Sequence, residues 1–388
     1  MRTQVVIVGA GPAGLLLSQL LHLGGVEAVV LEHRDRVYVE NRIRAGVLEQ
    51  ATVRLVERAG AGARMRQEGL AHDGIKLSSN GEEFRIGFSE LVNAQVLVYG
   101  QTELTKDLIA IAIARGTEPI FEAEGVRLQD IEGDTPSVVY SKGGRSHHID
   151  CDFIAGCDGQ HGICRSFMGT VQTFERLYPF GWLGIMADVP PCDDELIYAS
   201  HDRGFALASQ RTRQRSRYYL QVGNDERLED WPDARIWDEL ESRLGSKHSA
   251  SLTRGPSIDK SIAPLRSTVT EPLRRGRLFL VGDAGHIVPP TGAKGLNLAA
   301  ADAGRLADGL IARYRGGDLR PLENYSDSVL RHVWRAVRIS WWFTHLTHRF
   351  ADAGPFDRRI QAAEFDQLRR SRSAQILFAE NYVGIGRE

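Results

Sequence analysis

The sequence has little of what metal centres, disulfide frameworks and nucleic-acid surfaces require. No two of its four cysteines form a C-x-x-C pair, which disfavours a zinc site and predicts that no metal is bound. Because no secretory leader is recognisable, we expect reduced thiols and a cytoplasmic protein. The formal net charge is only -2, so nothing favours nucleic acid or an anionic membrane surface as a partner. Small molecules are the expected substrates.

Acidic residues, lysine and arginine are absent between Thr3 and Val26, a span long enough to cross a bilayer. Gly9, Gly11, Pro12 and Gly14 interrupt this span, and no basic region precedes it as a signal peptide requires. The sequence therefore predicts a strand, a tight turn and a helix here, and no membrane segment.

The same span carries a dinucleotide-binding pattern. A β-branched run precedes a G-x-G-x-x-G motif, a helical segment follows it, and a second apolar run ends in an acid. Glycines allow the tight turn and the approach of a pyrophosphate, and the acid can hold ribose hydroxyls. The pattern predicts FAD or NAD without deciding between them. Its residues are Gly9, Gly11, Gly14 and Glu32.

Two further turns carry an acid after a buried strand. One is Cys157-Asp158-Gly159, and the other is Gly282-Asp283, which is followed by a loop of prolines and glycines and then by a helix. The helix begins near Leu296 and Asn297, where unpaired N–H groups can face an anion or a polar ring. Three such turns in this order predict one dinucleotide site in an α/β fold.

A different group of residues suits a carboxylate. Four alternating arginines follow the apolar segment 204–209, and because one strand face could not bury all four, a turn is expected between Thr212 and Ser216. Ser209, Arg211 and Tyr219 then converge, and a hydroxyl, a guanidinium and a phenol bind a carboxylate well. Surface arginines beside a core tyrosine remain the alternative.

Cations are also frequent between His33 and Arg44, close to the first motif. Arg44, and with it Arg42, is expected to bind cofactor phosphates, although a solvated helix face is the alternative for each residue. Tryptophans at helical spacing, Trp334 and Trp341 among them, indicate a core or a self-association surface.

The motifs VVIVGAGPAGLLL, CDGQHGICR, GFALASQR and GDAGHIVPPTGAKGLNLAAAD resemble those of the single-component aromatic flavoprotein hydroxylases. The resemblance extends over nearly the whole chain. It implies an α/β protein with a Rossmann-like FAD-binding domain, an inserted, mainly antiparallel β-sheet substrate domain and a helical C-terminal region. The expected segments are residues 1–174, with a small β insertion at about 70–98, residues 175–287, with a strand returning to the FAD domain, and residues 288–388.

The resemblance further implies an oxidoreductase of aromatic catabolism. NADPH or NADH would reduce a non-covalent FAD, and O2 would attack the flavin at C4a to give a hydroperoxide. Oxygen would then be delivered to C3 of 4-hydroxybenzoate, which gives 3,4-dihydroxybenzoate (protocatechuate) and water. A homodimer is the expectation from the family.

Site residues are carried over from the same resemblance. The catalytic residues implied are Tyr198, Tyr382, Pro290 and His72: Tyr198 would accept the hydrogen bond of the substrate phenol, Tyr382 and His72 would continue a proton relay, and the Pro290 carbonyl would direct attack. The substrate residues implied are Ser209, Arg211, Tyr219, Tyr198 and Pro290. The cofactor residues are Gly9, Gly11, Gly14, Glu32, Arg42, Arg44, Gln101, Asp283, Leu296 and Asn297.

No second G-x-G-x-x-G motif is present, so the nicotinamide coenzyme is expected to bind transiently on the flavin domain. Its implied contacts are His33, Arg34, Tyr38, His161 and Arg266. Asp35 would oppose a 2′-phosphate that the neighbouring cations attract, so the preference between NADPH and NADH stays open. Two alternatives remain: a hydroxylase of another phenolic acid, and a non-redox prenyl-group carrier of the same fold.

Overall fold

A computed structural model describes residues 1–42, 46–79 and 81–385 of the chain. In chain order, the strands of these residues are β1 (Val5–Val8), β2 (Ala28–Leu31), β3 (Val47–Leu48), β4 (Leu70–His72), β5 (Gly74–Ser79), β6 (Glu82–Gly87), β7 (Val96–Val98), β8 (Glu124–Gln129), β9 (Ser137–Lys142), β10 (Arg145–Asp150), β11 (Phe153–Gly156), β12 (Gln172–Ala187), β13 (Leu196–Ser200), β14 (Ala206–Thr212), β15 (Arg215–Gly223), β16 (Ser257–Glu271), β17 (Arg274–Arg275), β18 (Leu278–Leu280) and β19 (His286–Ile287). The α-helices are α1 (Pro12–Leu23), α2 (Arg36–Asn41), α3 (Gln50–Arg58), α4 (Gly62–Glu68), α5 (Phe88–Val92), α6 (Gln101–Ala114), α7 (Asp233–Leu244), α8 (Ser246–Ser249), α9 (Gly295–Gly316), α10 (Arg320–Glu323), α11 (Tyr325–Thr347), α12 (Pro355–Arg370) and α13 (Arg372–Val383).

The uncharged segment at the start of the chain forms β1, a glycine turn and α1, as the sequence predicts. β1 is buried along its whole length, which explains its β-branched composition. It lies in the middle of a five-stranded sheet with the order β17-β18-β11-β1-β2. All neighbours are parallel except β17, which pairs antiparallel with β18. The strands that precede the three turns of the predicted dinucleotide site, β1, β11 and β18, are therefore side by side.

An eight-stranded sheet forms the second layer, in the order β19-β16-β12-β15-β14-β13-β5-β6. Its neighbours are antiparallel except β13 and β5. The antiparallel hairpin of β5 and β6 lies within the expected 70–98 insertion, and it pairs with β13 of this sheet. The insertion therefore extends the large sheet at its edge.

The C-terminal helices close the space between the two sheets. Helices α11 and α13 contribute to one aromatic core together with β13 and α5, through Phe343, Phe378, Tyr382, Tyr198 and Phe88. Burial of such side chains stabilises by about 1.5–3 kcal/mol each. This core holds the two tyrosines of the expected relay in one rigid environment.

The fold class predicted from the sequence is confirmed: a Rossmann-like βαβ unit, a mainly antiparallel sheet and a helical C-terminal region are all present. Among the described residues, no helix combines the length and the hydropathy that crossing a membrane requires.

Candidate active site

Glycines join the three acid-bearing turns at the edge of the parallel sheet. Gly9 has a φ of 111°, and a Cβ there would lie 2.3 Å from the Cys157 carbonyl oxygen. A Cβ on Gly14 would lie 2.0 Å from the Gly9 oxygen. Gly282 also has a positive φ, and its Cβ would approach Ala299 to 2.8 Å. Only glycine fits at these positions, because the backbones of neighbouring turns are in contact.

Gly11 differs from these glycines because it faces open space. A Cβ on Gly11 would meet nothing within 4 Å, and the same is true of Gly295 at the start of α9. Gly11 is the N-cap of α1 and supplies no side-chain cap, so the first N–H groups of that helix face this space. A pyrophosphate fits such a cradle, since the helix start attracts anions.

The Glu32 carboxylate is fixed at the end of β2. Its Oε2 accepts a hydrogen bond from the Ala10 N–H at 2.8 Å, and its Oε1 accepts one from the Arg34 N–H at 2.9 Å. His33 Nδ1 lies 3.2 Å from the same Oε1. The acid therefore lies beside the glycine turn, where a ribose would follow the pyrophosphate.

The other two turns present their acids differently. Asp158 is held in its turn by the Cys164 N–H at 2.8 Å, its second oxygen has no hydrogen-bond partner among the described residues, and burial raises the pKa of this carboxyl group. Asp283 is exposed in the turn after β18. An unsatisfied buried oxygen and an exposed acid at one sheet edge fit a polar cofactor.

The remaining cofactor residues lie on three elements. Gln101 is the first residue of α6, Arg42 is exposed at the end of α2, and Leu296 is half-buried in the first turn of α9. Thr102 donates to the Arg42 carbonyl at 3.0 Å, which joins the first two elements. Arg44 lies outside the described residues.

Asn297 is engaged within the protein. Its Oδ1 accepts from the Glu49 N–H at 2.9 Å and from Thr52 Oγ1 at 2.7 Å, and its Nδ2 donates to the carbonyls of Val47 and Ala293. The amide ties the start of α9 to the segment 47–52.

A buried ion pair adjoins Asn297. Lys294 Nζ donates to Glu49 Oε1 at 2.5 Å and to the Tyr382 carbonyl at 3.1 Å. It therefore links the proline- and glycine-containing loop before α9, here called the flavin loop, to α13. Neither Lys294 nor Glu49 was predicted as a site residue from the sequence.

Ser209, Arg211 and Tyr219 come together on the hairpin of β14 and β15. The turn between these strands falls at residues 213–214, inside the predicted interval. Ser209 pairs with Arg217 in the register and donates to its carbonyl at 3.0 Å, and Tyr219 pairs with Leu207. Alternation places Ser209 and Tyr219 on one face of the hairpin. Arg211 lies at a β-bulge between Gln210 and Thr212, and its side chain interacts with that of Tyr219.

Arginine charge dominates this face. Arg211 forms no ion pair among the described residues, its Nε has no hydrogen-bond partner there, and burial lowers its pKa. Although burial alone raises the pKa of Tyr219, the charges of Arg217 and Arg211 lower it overall. Arg217 lies 5.2 Å from the centre of the Tyr219 ring and pairs with Asp259 at 2.7 Å. The Arg211 guanidinium, which has no carboxylate partner among the described residues, is what a carboxylate ligand needs.

Tyr198 and Tyr382 meet in the aromatic core. Their hydroxyl oxygens are 2.7 Å apart, and both side chains are buried. Burial raises the pKa of both phenols, well above the ordinary value for Tyr198. Both hydroxyls are therefore protonated near neutral pH and can pass a proton along their hydrogen bond.

His72 and Pro290 complete the predicted catalytic set. His72 is buried at the end of β4, and its Nε2 lies 2.7 Å from Gln210 Nε2. Pro290 is exposed in the short turn before α9, and its carbonyl accepts from the Ala293 N–H at 2.9 Å. Within the described part of the chain, no direct hydrogen bond joins His72 to Tyr382.

The residues expected to bind the nicotinamide coenzyme form two groups. Arg34 lies over the Tyr38 ring at 4.9 Å, next to His33 after β2. Gln160 contacts both His161, at 2.5 Å, and the Arg266 guanidinium on β16. Asp35 caps α2 by accepting from the Tyr38 N–H at 2.7 Å.

The chain was compared with known proteins. The family model described as an FAD binding domain matches residues 2–340. The p-hydroxybenzoate hydroxylase of Acinetobacter baylyi is 50% identical over 388 residues, covering 99% of this chain and 96% of the relative. A probable NADH-specific resorcinol 4-hydroxylase of Rhodococcus jostii is 25% identical, covering 97% of this chain and 68% of the relative. Among solved structures, p-nitrophenol 4-monooxygenase of Pseudomonas putida aligns with a TM-score of 0.82 at 19% identity over 98% of both chains.

The fold and the glycine cradle thus define a flavoprotein that binds FAD, and the match to the family model agrees with this class. Within the class, the chain belongs to the family of FAD-dependent aromatic hydroxylases that includes p-hydroxybenzoate hydroxylase. The resemblance seen in the sequence is confirmed. The protein is a monooxygenase whose electrons come from a nicotinamide coenzyme.

Several residues at the site were missed by the sequence interpretation: Arg217, Gln210, Glu49 and Lys294. A sequence signal existed only for Arg217, which belongs to the alternating arginines and precedes Tyr219 by two positions on the same strand. The other contacts join distant parts of the chain, and no local pattern marks them.

Proposed function

We propose that the protein hydroxylates 4-hydroxybenzoate at C3. The reaction consumes the substrate, O2, NAD(P)H and a proton, and it yields 3,4-dihydroxybenzoate, NAD(P)+ and water. The observation that carries this proposal is the Arg211 guanidinium, whose Nε has no hydrogen-bond partner among the described residues, on the sheet that also bears Tyr198 with its hydrogen bond to Tyr382. The carboxylate of 4-hydroxybenzoate would bind the arginine, and its phenol, at the opposite end of the ring, would reach Tyr198.

FAD, when bound, would supply a flavin ring that accepts two electrons from the coenzyme and then activates O2. The glycine cradle around Gly11, with Gly9 and Gly14 shaping the turn, fits its pyrophosphate, and Glu32 fits its ribose. The other residues proposed to hold it are Arg42, Arg44, Gln101, Asp283, Leu296 and Asn297. For Asn297 the support is indirect, because its amide fixes the loop before α9 through four protein hydrogen bonds.

The proposed binding of substrate follows from charge and geometry. Arg211 would donate to the carboxylate in a fork, and Ser209 and Tyr219 would complete its hydrogen bonds. Each hydrogen bond to a charged group contributes about 1.5–3 kcal/mol. The Pro290 carbonyl would face the phenol and fix the ring against rotation.

The proposed role of the tyrosines is proton transfer. A phenol has a pKa near about 10, and its phenolate is the better nucleophile toward an electrophilic oxygen. Tyr198 would accept the hydrogen bond of the substrate phenol and donate its own proton to Tyr382 across 2.7 Å. His72 would receive the proton at the end of this chain. The substrate ring is then activated as the phenolate, and the proton is moved away from it.

For the coenzyme we propose transient binding between His33, Arg34 and Tyr38 on one side and His161 and Arg266 on the other. The cap formed by Asp35 engages its carboxylate within α2. Discrimination between NADPH and NADH then depends on Arg34 and His33, and we propose that either coenzyme is accepted.

The experiment that tests the function measures coenzyme oxidation with and without 4-hydroxybenzoate, together with free peroxide and aromatic product. We expect strong stimulation by the substrate, 3,4-dihydroxybenzoate as product and little peroxide. Equal rates with and without substrate would contradict the proposal. Faster turnover of a 3-hydroxy or 4-amino analogue would reassign the substrate within the same family.

We also propose a cytoplasmic homodimer with segments 1–174, 175–287 and 288–388. Support for a dimer comes from an exposed apolar groove of about 520 Å³ lined by Phe174, Trp334 and Trp341. The rings of Phe174 and Trp334 contact each other edge to face with centres 5.3 Å apart. Exposed aromatic groups of this kind mark association surfaces.

A further inference from the structure

Gln210 is a buried amide between the expected relay and solvent. It lies on β14, between Ser209 and Arg211, but alternation turns it to the opposite side of the strand. Its Nε2 donates to the Asp194 carbonyl at 2.9 Å and lies 2.7 Å from His72 Nε2. It therefore bridges the relay histidine and the loop before β13.

These two contacts determine the tautomer of His72. A carbonyl oxygen can only accept, so one N–H of the Gln210 amide is committed to Asp194. The second N–H of the same nitrogen faces His72 Nε2, which must then be the acceptor. A neutral imidazole with an acceptor at Nε2 carries its proton at Nδ1. That nitrogen is buried and has no hydrogen-bond partner among the described residues.

His72 also lines a cavity of about 400 Å³ that is rich in charge. The charged groups around the cavity are Asp73, Lys76, Arg85, Asp193, Asp194 and Glu195. Arg85 pairs with Asp73 at 2.5 Å and with Glu195 at 2.7 Å, and Lys76 pairs with Asp193 at 2.5 Å. Asp194 is exposed and makes no ion pair within the described ranges, so the cavity leads from the imidazole to a carboxylate in solvent.

The carboxylates around His72 favour its charged form, whereas a proton acceptor must be neutral. Burial lowers the pKa of His72 overall, although the charges of Asp194, Asp73 and Asp193 act in the opposite direction. An imidazole that is already charged cannot take a proton from the relay. The N–H of Gln210 opposes the carboxylates, because a donor at Nε2 stabilises the neutral ring and destabilises the imidazolium.

We propose that Gln210 is a positioning residue of the relay: its amide keeps His72 neutral, with Nε2 as acceptor and the proton on Nδ1, beside a charged cavity that Asp194 also lines. The inference deepens the proposed function and rests on the relay role of His72. When Nε2 takes a proton, the new N–H bond displaces the Gln210 donor, and the amide turns its oxygen toward the ring. Release of the Nδ1 proton into the cavity leaves the ring neutral with its proton on Nε2, and exchange of protons with solvent returns the proton to Nδ1 and restores the resting tautomer.

The test observes the imidazole directly in the FAD-bound protein. Histidine labelled with ¹⁵N reports both tautomer and pKa, and a His72→Asn variant assigns the signal. In the unchanged protein we expect the tautomer protonated at Nδ1 near neutral pH. In Gln210→Met, which removes the donor, we expect the His72 pKa to rise by about one unit. In Gln210→Glu the carboxylate accepts from Nε2, so we expect a larger rise and a proton on Nε2.

The matched control is Gln214→Glu, which adds the same charge in the exposed turn of the same hairpin. We expect it to leave the His72 signal unchanged. A proton on Nε2 in the unchanged protein would overturn the proposal, and the only variant that this measurement needs is His72→Asn for assignment. An unaltered titration in Gln210→Met would overturn it as well.

Failure of this inference and failure of the proposed function are separable. The tautomer and pKa are read without turnover, whereas the function is read from product and peroxide. If His72 behaves as expected but 4-hydroxybenzoate is not hydroxylated, the substrate assignment is wrong and the role of Gln210 as the holder of His72 stands. If hydroxylation is tightly coupled but His72 is protonated at Nε2, only the present inference is lost.

Discussion

At the scale of single residues, two hydroxyl groups carry the proposed chemistry. Tyr198→Phe removes one of the oxygens that lie 2.7 Å apart. Coenzyme oxidation should continue, but product formation should fall by about a hundredfold or more, because general acid–base catalysis contributes about a hundredfold to ten-thousandfold. Peroxide should rise in proportion. The unfolding free energy should drop by only about 1 kcal/mol, since a single hydrogen bond is removed.

Tyr140→Phe is the control for this change, because Tyr140 is another buried tyrosine, on β9 of a different sheet. It should keep full coupling. Coupled hydroxylation in Tyr198→Phe would remove Tyr198 from the mechanism, whatever the stability of the variant.

Arg211 tests the carboxylate pocket at the same scale. Arg211→Lys keeps the charge but loses the planar fork, so the KM for 4-hydroxybenzoate should rise by about tenfold or more while kcat changes less. Arg213→Lys, in the exposed turn two residues later, is the matched control and should leave KM unchanged. Steady-state kinetics at saturating coenzyme give both constants. An unchanged KM in Arg211→Lys would place the carboxylate elsewhere.

At the scale of elements, two glycines of one turn should respond differently to alanine. Gly11→Ala adds a methyl group to open space, so the apoprotein should melt normally while FAD binding weakens by at least about tenfold. Gly14→Ala forces a methyl group to within 2.0 Å of a carbonyl oxygen, so the apoprotein itself should be destabilised by about 1–3 kcal/mol. Flavin fluorescence and thermal unfolding separate the two effects. Equal FAD affinity in Gly11→Ala would mean that the cradle does not hold the cofactor.

The turn before the flavin loop depends on a buried pair. Asp302 accepts from the Gly282 N–H at 3.0 Å and from His286 at 2.6 Å, and both side chains are buried. Burial alone lowers the pKa of His286, but the Asp302 carboxylate raises it overall. The pair therefore fixes the third acid-bearing turn most firmly when His286 is protonated.

This gives a pH dependence with a definite sign. The folded pKa of His286 lies above its unfolded value near 6.5, so the stabilisation is fully present below that value and is lost as pH rises through the folded pKa. Each unit of difference contributes about 1.4 kcal/mol. Chemical denaturation between pH 6 and 9 should show this decline, and Asp302→Asn should flatten it. A stability that rises over this interval in the unchanged protein would contradict the assignment.

The elements also show what the sequence can and cannot predict. The βαβ unit and the position of Glu32 were predictable, because the glycine spacing and the acid lie within one local motif. The Ser209–Arg211–Tyr219 group was predictable for the same reason, since a single hairpin fixes its register. Gln210 and His72 are 138 positions apart, and Lys294 and Glu49 are 245 apart, so only the packing of the two sheets and the C-terminal helices brings them together.

At the scale of the whole molecule, an apolar surface on α11 is exposed to solvent. Trp341 is 45% exposed and Trp334 38% exposed on α11, and they line the groove with Phe174. A protein of 43.0 kDa should then sediment as a species of twice that mass. Trp341→Glu should give a monomer, because it removes an aromatic ring from the contact and places a charge that would have to be desolvated there. The residues proposed to bind FAD lie outside the groove, so the FAD content of Trp341→Glu should be unchanged.

Leu377→Glu is the control, because it changes another exposed apolar residue, on α13, and it should remain dimeric. A monomer already in the unchanged protein, across micromolar concentrations, would show that the groove has another role.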